Sequence, residues 1–180
     1  VAVAGGQFGM LAGSAPGMDG GLPSCRAGVS VHTKPLEQVH LCLGTPGIAQ
    51  ADADRYPAHL MNIALGGGMS PRPFQEIRER RGKAYTVYSF LSSYLDAGYV
   101  GVYVGTSPEW VREVVEVIRA ELGRLTREGL GADELDRVKR QMKGNLLLGL
   151  ETSDSRMSRI AKNEIYFGRD VPLDEVAAAI

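Results

Sequence analysis

Residues 74–89 read FQEIRERRGKAYTVYS, and the reading of the whole fold turns on them. The stretch opens as a charged amphipathic helix, breaks at Gly82 and continues as an alternating strand. In that strand Tyr85, Val87 and Ser89 share one face, and Ala84, Thr86, Tyr88 and Phe90 share the other. The junction sets Arg78 and Tyr85 seven residues apart. On spacing alone Arg78 reads as an exposed helix-face arginine and Tyr85 as a tyrosine packed at the start of a strand. The alternation leaves Tyr85 free to lie outside the core.

Working outward, DADRYPAHLMNIALGGG (52–68) predicts a helix with Tyr56, Leu60, Ile63 and Ala64 on one side. Asp52 or Asp54 caps it, Pro57 fits its first turn and the glycines end it. SPRPFQEIRERRG (70–82) restarts a helix, with Ser70 as a cap. Before these, AGVSVHT (27–33) and EQVHLCLG (37–44) alternate like strands. In the second, Val39, Leu41 and Leu43 face a core, and Gln38, His40 and Cys42 face away. After the junction, KAYTVYSFLSSY (83–94) and AGYVGVYVGTS (97–107) form an antiparallel hairpin joined near Leu95-Asp96.

From Ser107-Pro108, a cap followed by proline, the pattern is helical. One helix carries Val111, Val114, Val115, Ile118, Leu122 and Leu125 as a stripe. A second begins near Asp133 and carries Leu135, Val138, Met142 and Leu146. A third carries Met157, Ile160, Ala161 and Ile165 and stops near Gly168. Strands, then a helix pair, then a run of helices predict an α+β fold, an antiparallel β-sheet packed against helices. Residues 1–24, rich in Gly, Ala and Pro, read as a linker or irregular lead-in to the folded unit at 25–180.

Composition narrows the function. The 180 residues are 44% hydrophobic and carry 20 basic against 21 acidic side chains, a formal net charge of -1. A nucleic-acid surface would show a basic excess, so none is expected. No apolar run approaches the roughly 18 residues that span a bilayer, and no membrane association is expected. Two cysteines, Cys25 and Cys42, make no disulfide framework and suggest a reducing, cytoplasmic compartment. An opening on Val1 and a close on LDEVAAAI, inside an unfinished helix, suggest a piece of a longer polypeptide.

The chemistry-bearing residues are few. His32 and His40 could line one sheet face, but zinc needs three or four convergent ligands, and no H-x-x-E-H is present. No metal site is therefore expected. Gly66, Gly67 and Gly68 follow a helix rather than a strand and lack the lysine of a phosphate loop. They read as a cap and tight turn with scope for functional flexibility. Asp136 and Arg140 pair across a solvated turn.

LGGGMSPRPFQEIRERRGKAYTVYS (65–89), EQVHLCLGTPG (37–47) and NEIYFGRDVPLDE (163–175) together resemble the zinc-free C-terminal lobe of the pitrilysin-type, or M16, zinc metallopeptidases, a family that includes mitochondrial processing peptidase. The resemblance runs from about Glu37 to Arg169. It implies one lobe of a two-lobed clamshell that takes unfolded peptide. Zinc would be bound by the other lobe, a zinc-bearing N-terminal lobe or partner subunit, and the assembly would be a dimer. Arg78 and Tyr85 fall on the family's arginine and tyrosine, which implies peptide and oxyanion contacts for them and a substrate-side position for Gly66, Gly67 and Gly68. By itself this lobe would be inactive. The same resemblance admits a non-catalytic scaffold subunit as an alternative. Pro71 and Pro73 depart from the serine and leucine common in the family and bear on the glycine-rich turn. The family's lobes also continue past a segment like DVPLDEVAAAI into a further helix and strand, so the lobe reads as truncated at its C-terminus.

Overall fold

The computed structural model describes residues 23–67 and 83–180. Three strands, β1 (Val39–Pro46), β2 (Ala84–Ser93) and β3 (Gly98–Thr106), form an antiparallel sheet in the order β1-β3-β2. Among the described residues five α-helices accompany it: α1 (Arg55–Asn62), α2 (Val111–Glu128), α3 (Ala132–Leu148), α4 (Ser153–Phe167) and α5 (Leu173–Ala179). This is the expected α+β fold.

The hairpin explains itself chemically. Tyr94 N donates to Ala97 O at 2.7 Å and closes the β2–β3 turn. Gly98, just after the turn, lies against Ile48 and Ser92, and a Cβ there would sit 2.1 Å from the Ile48 carbonyl oxygen. Neither contact is a flexible side-chain tip, so the backbone itself would have to move. Gly98→Ala is expected to destabilise the domain by about 1–3 kcal/mol, read as a lower midpoint in urea unfolding.

One face of the sheet carries the core. Val102 and Val104 of β3 and Ala84 of β2 pack with Leu65, Val114 and Ile118, and Leu41, Leu43, Val87 and Trp110 flank them. Val114 and Ile118 are on the stripe expected of α2, one turn apart. A second cluster joins α1, α3 and α5 through Leu60, Ala64, Val138 and Ile180. Tyr56 and Ile63 pack against it, so the side of α1 read from the sequence is the side it buries. Asp54 occupies the cap position of α1, and Asp52 Oδ1 accepts from Asp54 N at 2.8 Å in the turn that leads in. Thr152 caps α4 by accepting from Ser155 N at 3.2 Å, and Gly168, at φ 64°, ends it in the left-handed region glycine favours.

Three expectations need correction. Residues 27–33 are not a strand: Val29 and Val31 are 93% and 81% exposed, with no partner strand among the described residues. Alternation without a ladder or a face to bury leaves the chain irregular. His32 therefore does not share a sheet face with His40; it hydrogen-bonds through Nε2 to Ser30 Oγ at 3.1 Å. Helix α4 forms as predicted but turns its apolar stripe outward, with Met157, Ile160 and Ile165 all exposed and Asn163 buried. Finally, Arg140 reaches the main-chain oxygen of Asp136 (Nε to O, 3.3 Å) in place of its carboxylate.

Candidate functional site

The described part of the junction begins at Lys83, which is held in three ways. Its ammonium pairs with Glu113 on α2 and lies 4.3 Å from the centre of the Trp110 ring, and its carbonyl accepts from Thr106 Oγ1. Thr106 is fully buried at the end of β3. These contacts fix the chain two residues before Tyr85. Thr106→Val keeps the shape but leaves the Lys83 carbonyl without this donor, an expected loss of about 1–3 kcal/mol in chemical denaturation.

Immediately after, the ladder slips. Ala84 pairs with Thr106 and Thr86 with Gly105, so Tyr85 is the extra residue of a β-bulge. The slip corrects the predicted alternation. Ala84 joins Val87 and Ser89 toward the core, whereas Tyr85 projects outward and is 63% exposed. A bulge re-aims a side chain in this way because two residues oppose one on the partner strand. The Tyr85 hydroxyl lies 3.4 Å from Ser107 Oγ. Ser107 has the extended backbone of a cap (φ -76°, ψ 151°) ahead of Pro108, but its hydroxyl makes no capping bond and faces Tyr85 instead. Sequence reading placed Ser107 as a cap alone; only the bulge brings the two hydroxyls together.

The glycine turn approaches the same strand. Helix α1 runs on through a wider turn, Ile63–Gly67, that contains Gly66 and Gly67. Leu65 in that turn shares a core cluster with Ala84, and Ser89 Oγ donates to the Asn62 carbonyl at 2.9 Å. The end of α1 and the turn after it are thus tied to β2 at both its first residue, Ala84, and its middle, Ser89. Gly68 and Arg78 lie outside the described residues, as do the cap expected at Ser70 and the helix expected over 70–82.

Beyond Tyr85, the outward face of the sheet is aromatic. Tyr88 stacks on Tyr103 with ring centres 5.0 Å apart, and Tyr103 Oη and His40 Nδ1 are hydrogen-bonded at 2.7 Å. Cys42 stands opposite Tyr103 in the register and is a free, exposed thiol. Among the described residues no three His, Cys, Asp or Glu side chains converge to hold a metal, and no helix is long and apolar enough to cross a membrane.

Residues 9–142 match the family described as the peptidase M16 inactive domain. The chain belongs to that family. An uncharacterized zinc protease of Streptomyces coelicolor is 44% identical over 144 residues, 80% of this chain and 31% of the relative. The zinc protease YmxG of Bacillus subtilis is 44% identical over 143 residues, 79% of this chain and 35% of the relative. The chain thus spans about a third of the length of these relatives. Among solved structures, a peptidase M16 inactive domain from Pseudomonas fluorescens superposes with a TM-score of 0.69 at 26% identity, over 81% of this chain and 34% of that one. A chain of complex III from Candida albicans superposes at 0.72 with 20% identity, over 82% of this chain and 37% of that one, a likeness of fold.

Proposed function

We propose that this M16 inactive domain is the substrate-binding half of a zinc metalloendopeptidase acting on unfolded peptides, with Tyr85 supplying a hydrogen bond to the oxyanion. The exposed position of Tyr85 on a bulge, with its base anchored through Lys83 and Thr106, is the observation that carries the reading. The names of relatives at 44% identity support the enzyme class.

The division of labour follows from the side chains. Zinc, held by the other lobe of the assembled enzyme, supplies the activated water. This chain's part is to hold the peptide and to offer donors where charge develops. A phenol is neutral at physiological pH and donates one hydrogen bond, which suits a developing oxyanion. Arg78 offers a planar fork to peptide carbonyls, Gly66 and Gly67 let the peptide backbone approach the turn beside β2, and Gly68 follows them in sequence with the same freedom from a side chain. The aromatic row from Tyr88 to His40 extends the apolar surface available to the peptide.

The test is reconstitution. This chain alone is expected to cleave no quenched fluorescent peptide, with or without added zinc. Mixed with the zinc-bearing lobe from the same source, it is expected to give cleavage that a chelator abolishes. Association of the two lobes without cleavage contradicts the reading and leaves the scaffold role in its place.

A further inference from the structure

Helix α4 hides polar groups and exposes apolar ones, and the reason lies in what its inward face lines. Arg159, Asn163 and Phe167, at successive four-residue steps, border an open pocket of about 200 Å³ that α1, α3 and α5 also line. Arg55 and His59 reach it from α1, and Met142 and Leu146 of α3 form its apolar wall. Among the described residues no carboxylate lines it.

The nearby carboxylates have other partners. Glu175 is held at both oxygens by Arg169 (Oε1 to Nη2, 2.5 Å; Oε2 to Nη1, 2.9 Å). Asp170 Oδ1 accepts from Asn163 Nδ2 at 3.0 Å. Among the described residues neither Arg55 nor Arg159 forms an ion pair. Arg55 Nη2 donates to Tyr56 Oη at 3.0 Å, and Arg159 Nη2 donates to the Val171 carbonyl. A guanidinium carries five N–H donors, so most of each fork is unspent.

Arg55 is also preorganised. Its guanidinium carbon lies 4.4 Å from the centre of the Tyr56 ring and 5.0 Å from that of Phe167. Cation–π contact with two rings restrains the group, and a planar fork matches a carboxylate at two points. Burial, and then the charge of Arg55, hold the His59 imidazole below its ordinary pKa of 6.5.

We propose that this pocket binds a small carboxylate with an apolar body, the carboxylate taken by Arg55 and Arg159 and the body lying against Met142 and Leu146. The site is separate from Tyr85 and stands whether or not the peptidase reading does. Two sources share this chemistry: the C-terminal residue of a peptide and a free aliphatic acid.

The experiment is titration of the intact protein with N-acetyl-leucine, hexanoate, N-acetyl-leucine amide and inorganic phosphate, by calorimetry and by NMR of the His59 ring. The charge that bears on His59 is that of Arg55 on its own helix; Arg159 of α4 lines the same pocket, and Asp170 and Glu175 nearby are bonded to Asn163 and Arg169. A bound anion favours the imidazolium, so the His59 pKa is expected to rise on binding and affinity to strengthen as pH falls toward that value. The two carboxylates are expected to saturate, the amide and phosphate to bind far more weakly. Arg55→Met is expected to lower affinity about tenfold to a hundredfold. Arg55→Lys, which keeps the charge and the fold but loses the planar fork, is expected to fall between. N-acetyl-leucine binding above hexanoate assigns the site to peptide ends, and the reverse order to free acids. Amide or phosphate binding as well as the carboxylates overturns the proposal. So does an unmoved His59 signal at saturation, or Arg55→Lys matching the wild type.

Discussion

Tyr85→Phe in the assembled enzyme is expected to lower kcat by about 10² to 10³ while KM stays within about threefold. The magnitude follows from the place proposed for the hydroxyl. An oxyanion donor meets its partner only as charge develops, so its loss appears in the chemical step and hardly in substrate binding. Stability should scarcely register the change. The hydroxyl is exposed, its contact with Ser107 Oγ is long at 3.4 Å, and the ring is retained. A melting temperature within about 2 °C of wild type is expected, as for surface substitutions generally. Steady-state kinetics and a thermal melt on the same preparation separate the effects. A loss of kcat with an equal loss of stability would mean that the bulge, and not the donor, had been disturbed.

Ile118→Ala is expected to cost about 2–5 kcal/mol, the largest stability loss among the substitutions considered. Ile118 is fully buried between the sheet and α2, in the cluster with Val102, Val104 and Val114. The same cluster holds Leu65 and Ala84, which border the glycine turn and the bulge. Removing Ile118 therefore loosens the layer on which Tyr85 is mounted. A fall of roughly 5–15 °C in the melting temperature is expected. The kinetic constants of the fraction that remains folded should change far less than in Tyr85→Phe. A shift below 2 °C would mean that the cavity collapses around the missing side chain.

The sequence carried the core well because the core obeys simple periods. The alternation of Val39, Leu41 and Leu43 and the four-residue step from Val114 to Ile118 each require only that one face be buried, and that face is the one buried. The bulge was not legible. It arises where Ala84 pairs with Thr106 while Thr86 takes Gly105, a matter of register between strands that no local period encodes. Hence Tyr85 was placed beside Val87 and Ser89, with which it shares no face. The strand expected at 27–33 failed for a related reason: alternation describes a surface and does not supply a neighbour. Helix α4 was legible as a helix but not in orientation. Its apolar stripe of Met157, Ile160 and Ile165 promised a core face, whereas Arg159 and Asn163 turn toward the pocket. Arg55 and His59 carry no signal in sequence, where a charged residue at a helix start and a histidine on its flank are ordinary. What distinguishes them is a pocket with no carboxylate among its described lining residues, which only the folded chain reveals.

The measurement that bears most directly on the account compares a phosphinic peptide, which mimics the tetrahedral oxyanion, with the matching uncleaved peptide on wild-type and Tyr85→Phe assembled enzyme. With Tyr85 as the oxyanion donor, the mutation weakens the phosphinic inhibitor by the same 10² to 10³, roughly, that it takes from kcat/KM, while the ground-state peptide binds within about threefold of wild type. Equal weakening of both ligands would make Tyr85 a general peptide contact, and no weakening of the inhibitor would remove it from the oxyanion.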